Sequence, residues 1–174
     1  MTLDENHFKE KKHIALNVNG KKVQANVESR ITLAEFLREE LRLTGTKVGC
    51  NRAECGSCTV ILDGQPVYSC SILAVEAAGT EILTIEGLEH NNELHPLQKA
   101  FIEHDALQCG YCTPGMLMAL KALLDKNPRP QESDVIDAID GNLCRCGSYP
   151  NIINATLDAS KELLRGSRSN HGEK

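Results

Sequence analysis

The chain has no tryptophan, and its 174 residues include only three phenylalanines and three tyrosines. Few large side chains limit the apolar area that one core can bury, so any other tie between segments gains weight. No stretch approaches the roughly 18 apolar residues of a membrane span, and none is expected. Basic excess is missing too. A formal charge of −5 and a pI near 5.7 argue against nucleic acid as a partner. The opening residues, MTLDENHFKEKK, have neither the apolar stretch of a secretory signal nor a twin-arginine pair, so a cytoplasmic chain is expected. The six histidines (His7, His13, His90, His95, His104 and His171) have no ligand spacing and read as surface or capping residues.

Cysteine is abundant by contrast. The eight cysteines form two unlike sets of four, with none left over. Cys50, Cys55 and Cys58 read C-x4-C-x2-C, followed by Cys70, which is the plant-type 2Fe–2S spacing. Cys109 and Cys112 form C-x2-C, paired with a distant C-x-C at Cys144 and Cys146. In a reducing compartment such sets point to metal rather than to disulfides. The first set favours iron through its four-residue gap and glycine-rich loop. The second, taken alone, suits zinc nearly as well, so a zinc-stapled interaction module stays open beside an electron carrier.

The settings of the two sets differ. Small residues in Gly49–Cys58 allow backbone N–H groups to turn toward the sulfurs, where they stabilise negative charge and tune potential. Cys109 and Cys112 precede a helix expected at Pro114, with Thr113 as its N-cap, and Cys144 and Cys146 precede one expected at Pro150. Both pairs then sit near the positive ends of helix dipoles, while Gly110, Gly141 and Gly147 keep the backbone bendable.

Periodicity divides the chain. Ile14, Leu16 and Val18 alternate with polar residues, Asn19-Gly20 supplies a hairpin turn, and Val23, Ala25 and Val27 alternate again. Thr32 and Glu35 suggest a capping box opening a helix with Leu33, Phe36, Leu37 and Leu41 on one face. Thr59–Leu62, the turn Asp63-Gly64, Pro66–Cys70 and Ile82–Ile85 read as further strands. From Asn91 the period becomes helical. Pro96 opens a helix with Leu97, Phe101 and Ile102 on its apolar side. A second carries Met116, Leu117, Leu120 and Leu124, with Met116 and Met118 read as packing residues. A third starts at Ser133 and uses Val135, Ile136 and Ile139, and a fourth follows Pro150. The expected fold is α+β, with a small mixed sheet on one helix over 13–88, then a four-helix bundle over 91–165. Flexible tails are expected at 1–12 and 166–174.

Three stretches carry a family resemblance: Val48-Gly49-Cys50-Asn51 with Cys55-Gly56-Ser57-Cys58-Thr59-Val60, Gln108-Cys109-Gly110-Tyr111-Cys112-Thr113-Pro114-Gly115-Met116, and Gly141-Asn142-Leu143-Cys144-Arg145-Cys146. In order and spacing they resemble the iron–sulfur subunit of molybdenum hydroxylases, the family of xanthine dehydrogenase, aldehyde oxidoreductase and carbon monoxide dehydrogenase. The resemblance implies a plant-ferredoxin-like β-grasp domain and a helical domain, each with one 2Fe–2S cluster. It further implies a large subunit holding molybdopterin, where substrate is hydroxylated, and FAD on a third subunit. Cys109, Cys112, Cys144 and Cys146 would ligate the cluster nearer molybdenum, and Cys50, Cys55, Cys58 and Cys70 the one nearer flavin. Gln108 matches a glutamine that lies against the pterin, and Cys146 matches the ligand closest to it. Arg145 is expected in a structural salt bridge. Many members follow C-R-C with Thr-Gly-Tyr, whereas this chain has Gly147-Ser148-Tyr149-Pro150, which resembles the bacterial aldehyde and N-heteroaromatic oxidoreductase branch. A free two-cluster carrier is the other electron-transfer reading, and it would have no need of Gln108 or the helical domain.

Overall fold

The computed structural model describes residues 11–169, with side chains described from 11 to 165. Strands β1 (Lys11–Val18) and β2 (Lys21–Glu28) form an antiparallel hairpin. Its turn places Asn19 and Gly20 at φ 52° and 75°, the paired positive values that match the right-handed twist of the strands. Asp63 and Gly64, at φ 47° and 78°, do the same between β3 (Thr59–Leu62) and β4 (Gln65–Tyr68). Strand β5 (Glu81–Leu83) lies between the hairpins, parallel to β1 and antiparallel to β3. The sheet order is β2-β1-β5-β3-β4.

Helix α1 (Leu33–Glu35) begins with the expected capping box. The Thr32 hydroxyl oxygen accepts from Glu35 N–H, and the Glu35 carboxylate accepts from Thr32 N–H at 2.9 Å. It continues as a π-helical turn, Phe36–Glu40. Leu33, Phe36 and Leu37 are fully buried against Ile14, Leu16, Val18, Val60 and Ile82. This face is the first core, built by alternation in the strands and helical spacing in α1.

The helical half contains α2 (Pro96–Glu103), α3 (Thr113–Lys126), α4 (Glu132–Ile139) and α5 (Tyr149–Ser169). Their buried faces form a second core around Leu97, Phe101, Met116, Leu120, Val135 and Ile152. That core extends onto the sheet. Helix α3 packs on β3, and Ile61 belongs to the second core while its neighbour Val60 belongs to the first. Successive strand residues point to opposite faces, so β3 is buried on both sides and joins the halves.

Several expectations need correction. Regular structure reaches into both segments read as flexible tails, since β1 starts at Lys11 and α5 runs to Ser169; residues 1–10 and 170–174 lie outside the described residues. Cys112, already helical at φ −80° and ψ −16°, stands at the N-cap position of α3 in place of Thr113, with no side-chain capping bond. Helix α4 starts at Glu132 rather than Ser133, with Gln131 and Asp134 closing a capping box. Ile102 and Ile136, expected on apolar faces, are 60% and 46% exposed, because the short helices α2 and α4 each bury only one narrow stripe. No helix among the described residues is long and apolar enough to cross a membrane.

Candidate metal centres

The first centre is made by the loop between the π-helical turn and β3, closed by Cys70 in the short 3₁₀ turn Ser69–Ser71. Asn51 and Ala53 adopt left-handed φ of 54° and 59°, a conformation costing non-glycine residues about 1–2 kcal/mol. The strain has a visible use. Arg52 and Glu54 N–H donate to Cys50 Sγ at 3.4 and 3.3 Å, and Ala53 N–H donates to Cys70 Sγ at 3.4 Å. Cys55 Sγ lies 3.6 Å from the buried Ser57 hydroxyl.

These contacts divide the four thiols. Burial opposes ionisation of Cys50, yet the N–H bonds from Arg52 and Glu54, aided by Cys55, outweigh it and bring the thiol down to about 7. Burial, with the Cys70 thiol alongside, pushes Cys58 up to about 12. Cys50 is thus paired with Cys55, and Cys58 with Cys70.

The second centre forms where two helix starts meet. Burial, then the neighbouring Cys144 and Cys109, raise Cys112 to about 12. Burial also opposes ionisation of Cys144, but the backbone of Ser148, the Cys112 thiol and the backbone of Cys146 and Gly147 outweigh it and lower its value. Tyr149 holds this loop: its hydroxyl accepts from Cys144 N–H at 2.7 Å and donates to the Asn142 carbonyl at 3.3 Å. Gln108 donates from Nε2 to the Cys146 carbonyl at 3.4 Å, and both Gln108 and Cys109 are exposed. Arg145 is exposed, and the expected salt bridge is not formed with any of the described residues.

All eight cysteines are free thiols. Among the described residues no group of three or more His, Cys, Asp or Glu side chains is arranged to hold a single metal ion. Pairwise thiols are instead what a binuclear cluster uses, two on each iron. The sulfur-only donors and inward N–H groups of both sets, with Cys50 beside Cys55, Cys58 beside Cys70 and Cys112 beside Cys144, fit a 2Fe–2S cluster at each.

The two centres share a seam. Leu143 N–H donates to the Cys55 carbonyl at 2.9 Å. Buried Asn142 donates from Nδ2 to the Gly56 carbonyl at 2.9 Å and lies 3.3 Å from the Thr59 hydroxyl. Gly115, in the first turn of α3, faces the Gly56 carbonyl so closely that a Cβ would collide with it. Asn142, Tyr149 and Ser57 join the cysteines as site residues. Asn142 meets Gly56 and Thr59, too far along the chain for local pattern to name, whereas Tyr149 and Ser57 act within their own cysteine loops.

Two family models match in tandem: a "2Fe-2S iron-sulfur cluster binding domain" over residues 16–84 and a "[2Fe-2S] binding domain" over 84–157. The chain is 50% identical to the 6-hydroxypseudooxynicotine dehydrogenase complex subunit beta of Paenarthrobacter nicotinovorans, over 84% of this chain and 92% of that one. It is 44% identical to the aldehyde oxidoreductase iron-sulfur-binding subunit PaoA of Escherichia coli (strain K12), over 86% and 72%. Among solved structures, it superposes on a chain of quinoline 2-oxidoreductase from Pseudomonas putida 86 with a TM-score of 0.87 and 45% identity, covering 90% of this chain and 98% of that one. With two cluster-binding modules in order and close relatives matched along most of their length, the chain belongs to the iron–sulfur small subunits of the molybdenum hydroxylases.

Proposed function

We propose that this subunit passes electrons one at a time from a molybdopterin-bearing large subunit, through the Cys109/Cys112/Cys144/Cys146 centre and then the Cys50/Cys55/Cys58/Cys70 centre, to FAD on a third subunit or to another acceptor. Bound 2Fe–2S clusters would supply one-electron redox chemistry at each set; the chain's own residues hold, insulate and align them. The observation that carries this reading is the Leu143 N–H to Cys55 carbonyl bond of 2.9 Å. Cys55 belongs to one set and Leu143 adjoins Cys144 of the other, so a single hydrogen bond completes a short covalent path between them.

Exposure supports this direction. Cys109, Gln108, Leu143 and Arg145 are open on the helical end, whereas Cys58 and Cys70 are buried. The open end suits contact with the pterin, with Gln108 and Cys146 nearest to it. We read residues 13–88 and 91–165 as the two cluster domains, the second as a four-helix bundle, because α2 packs on α3 and α5, and α4 on α3 and α5. A cytoplasmic setting would keep the thiols reduced for iron. Relatives named for a hydroxypseudooxynicotine, quinoline and aldehydes support an aldehyde or N-heteroaromatic substrate, a class that includes purines, bound on the large subunit.

Metal analysis of the complex purified through this chain tests the reading. About four irons per chain, together with molybdenum, are expected. Iron without molybdenum would turn the assignment to a free carrier, and a colourless zinc protein would overturn both.

A further inference from the structure

All three tyrosines of this aromatic-poor chain lie on the cysteine loops or their seam. Tyr149 braces its own loop, and the Tyr68 hydroxyl stands against Gly141 at the seam. Tyr111 differs from both. It sits between Cys109 and Cys112 on the second centre's loop, yet its hydroxyl donates to the Val48 carbonyl at 2.8 Å, two residues before Cys50 of the first centre. Its ring flanks Gly49, where a Cβ would lie 3.8 Å from Tyr111 Cε1 and 2.9 Å from Cys55 Sγ. Ring and sulfur therefore stand around one residue with no side chain.

Folding alone does not account for this placement. Tyr111 is 48% exposed, so it gives up much of the apolar burial that usually justifies an aromatic ring. A hydrogen bond that water can replace contributes little net stability. What the contact does achieve is geometric, because it ties the two cysteine loops together at a point separate from the Asn142 and Leu143 bonds.

We infer that Tyr111 is a positioning residue for electron transfer, clamping the Val48–Cys50 segment of the first centre to the Cys109–Cys112 segment of the second and screening the Cys55 sulfur from water. Tyr111 takes no electron itself. It fixes the arrangement in which one electron leaves the second centre, which is oxidised, and reaches the first, which is reduced. The potential of a 2Fe–2S centre depends on hydrogen bonding to its sulfurs and on solvent exposure. Freed from the clamp, the first centre meets more water, which favours its more negative reduced form.

The inference rests on the two-centre reading above, and the test separates them. Tyr111→Phe keeps the ring and removes only the hydroxyl. In the purified complex, a redox titration followed by electron paramagnetic resonance should give full iron content and an upward shift of the first centre's potential. The second centre's potential should hold, and the magnetic interaction between the reduced centres should change. Tyr111→Ala should also lose iron from the first centre to a chelator faster than wild type. Wild-type potentials and interaction in Tyr111→Phe, with wild-type iron loss in Tyr111→Ala, would overturn the inference and leave the two-centre reading standing. Loss of both signals in Tyr111→Phe would make it a folding residue and overturn the inference as well. A wild-type complex without two iron–sulfur signals would overturn both.

Discussion

In the sheet half, three of four cysteines lie in the loop Cys50–Cys58, and the backbone of that same loop supplies the N–H groups that meet their sulfurs. In the helical half, residues 113–143 separate the two cysteine pairs, and the starts of α3 and α5 bring them together because both helices share one packed core. The first centre is thus a local device that accepts left-handed backbone at Asn51 and Ala53 in return for donors already aimed at sulfur. The second is a tertiary device whose geometry depends on how well α2–α5 pack. One donor set, four thiolates, can therefore be held in two ways, and the two sites should fail differently.

The largest expected effect comes from breaking one site at a time. Cys112→Ser should erase the second centre's resonance signal and stop turnover with every acceptor, because it cuts the proposed relay at its first step. Cys58→Ser should erase only the first centre's signal and leave the second reducible by substrate. Rapid-mixing spectra of both variants check this. Turnover at the wild-type rate in Cys112→Ser would sink the relay.

A moderate effect is expected at the seam. Asn142→Ala removes the buried Nδ2 that reaches Gly56 and Thr59. It should destabilise the iron-loaded chain by about 1–2 kcal/mol. Thermal unfolding of the wild type should be a single transition, since β3 serves both cores, whereas the variant should begin to separate the halves.

The smallest effect sharpens the contrast through pH. Burial, then Lys121, hold His95 below its ordinary 6.5 against the opposing pull of Asp125. Its neutral Nδ1 accepts from Leu97 N–H at 3.2 Å and caps α2. Since the unfolded ring takes a proton near 6.5 and the folded ring only at lower pH, this stabilisation is complete above pH 6.5. It disappears as pH falls through the folded value. The loss should be about 1 kcal/mol and should appear as acid sensitivity of α2 in hydrogen exchange. His95→Asn keeps a cap and should remove the pH dependence.

The features legible in the sequence are the ones that local rules write. Asn19-Gly20 and Asp63-Gly64 make the expected turns, Thr32 and Glu35 make the expected capping box, and Met116 and Met118 are core packing. His95 is a capping residue, within the reading given to the histidines. The misreadings share one cause. Ile102 and Ile136 have apolar periodicity, but exposure depends on which neighbours a short helix meets. Arg145 has a charge suited to an ion pair, but no carboxylate of the described residues pairs with it.

The sequence by itself determined the chemistry of this protein. Cysteine spacing sets which thiols can reach a shared cluster, and the loop residues around Cys50 can donate to sulfur with no help from distant segments. Only the tertiary structure decided that the two cysteine loops touch. Asn142 meets Gly56, Leu143 meets Cys55 and Tyr111 meets Val48 because β3 is buried on both faces and α3 lies across it. Contacts between segments so far apart in the chain are specified by the packing of whole cores, and no short pattern carries that information.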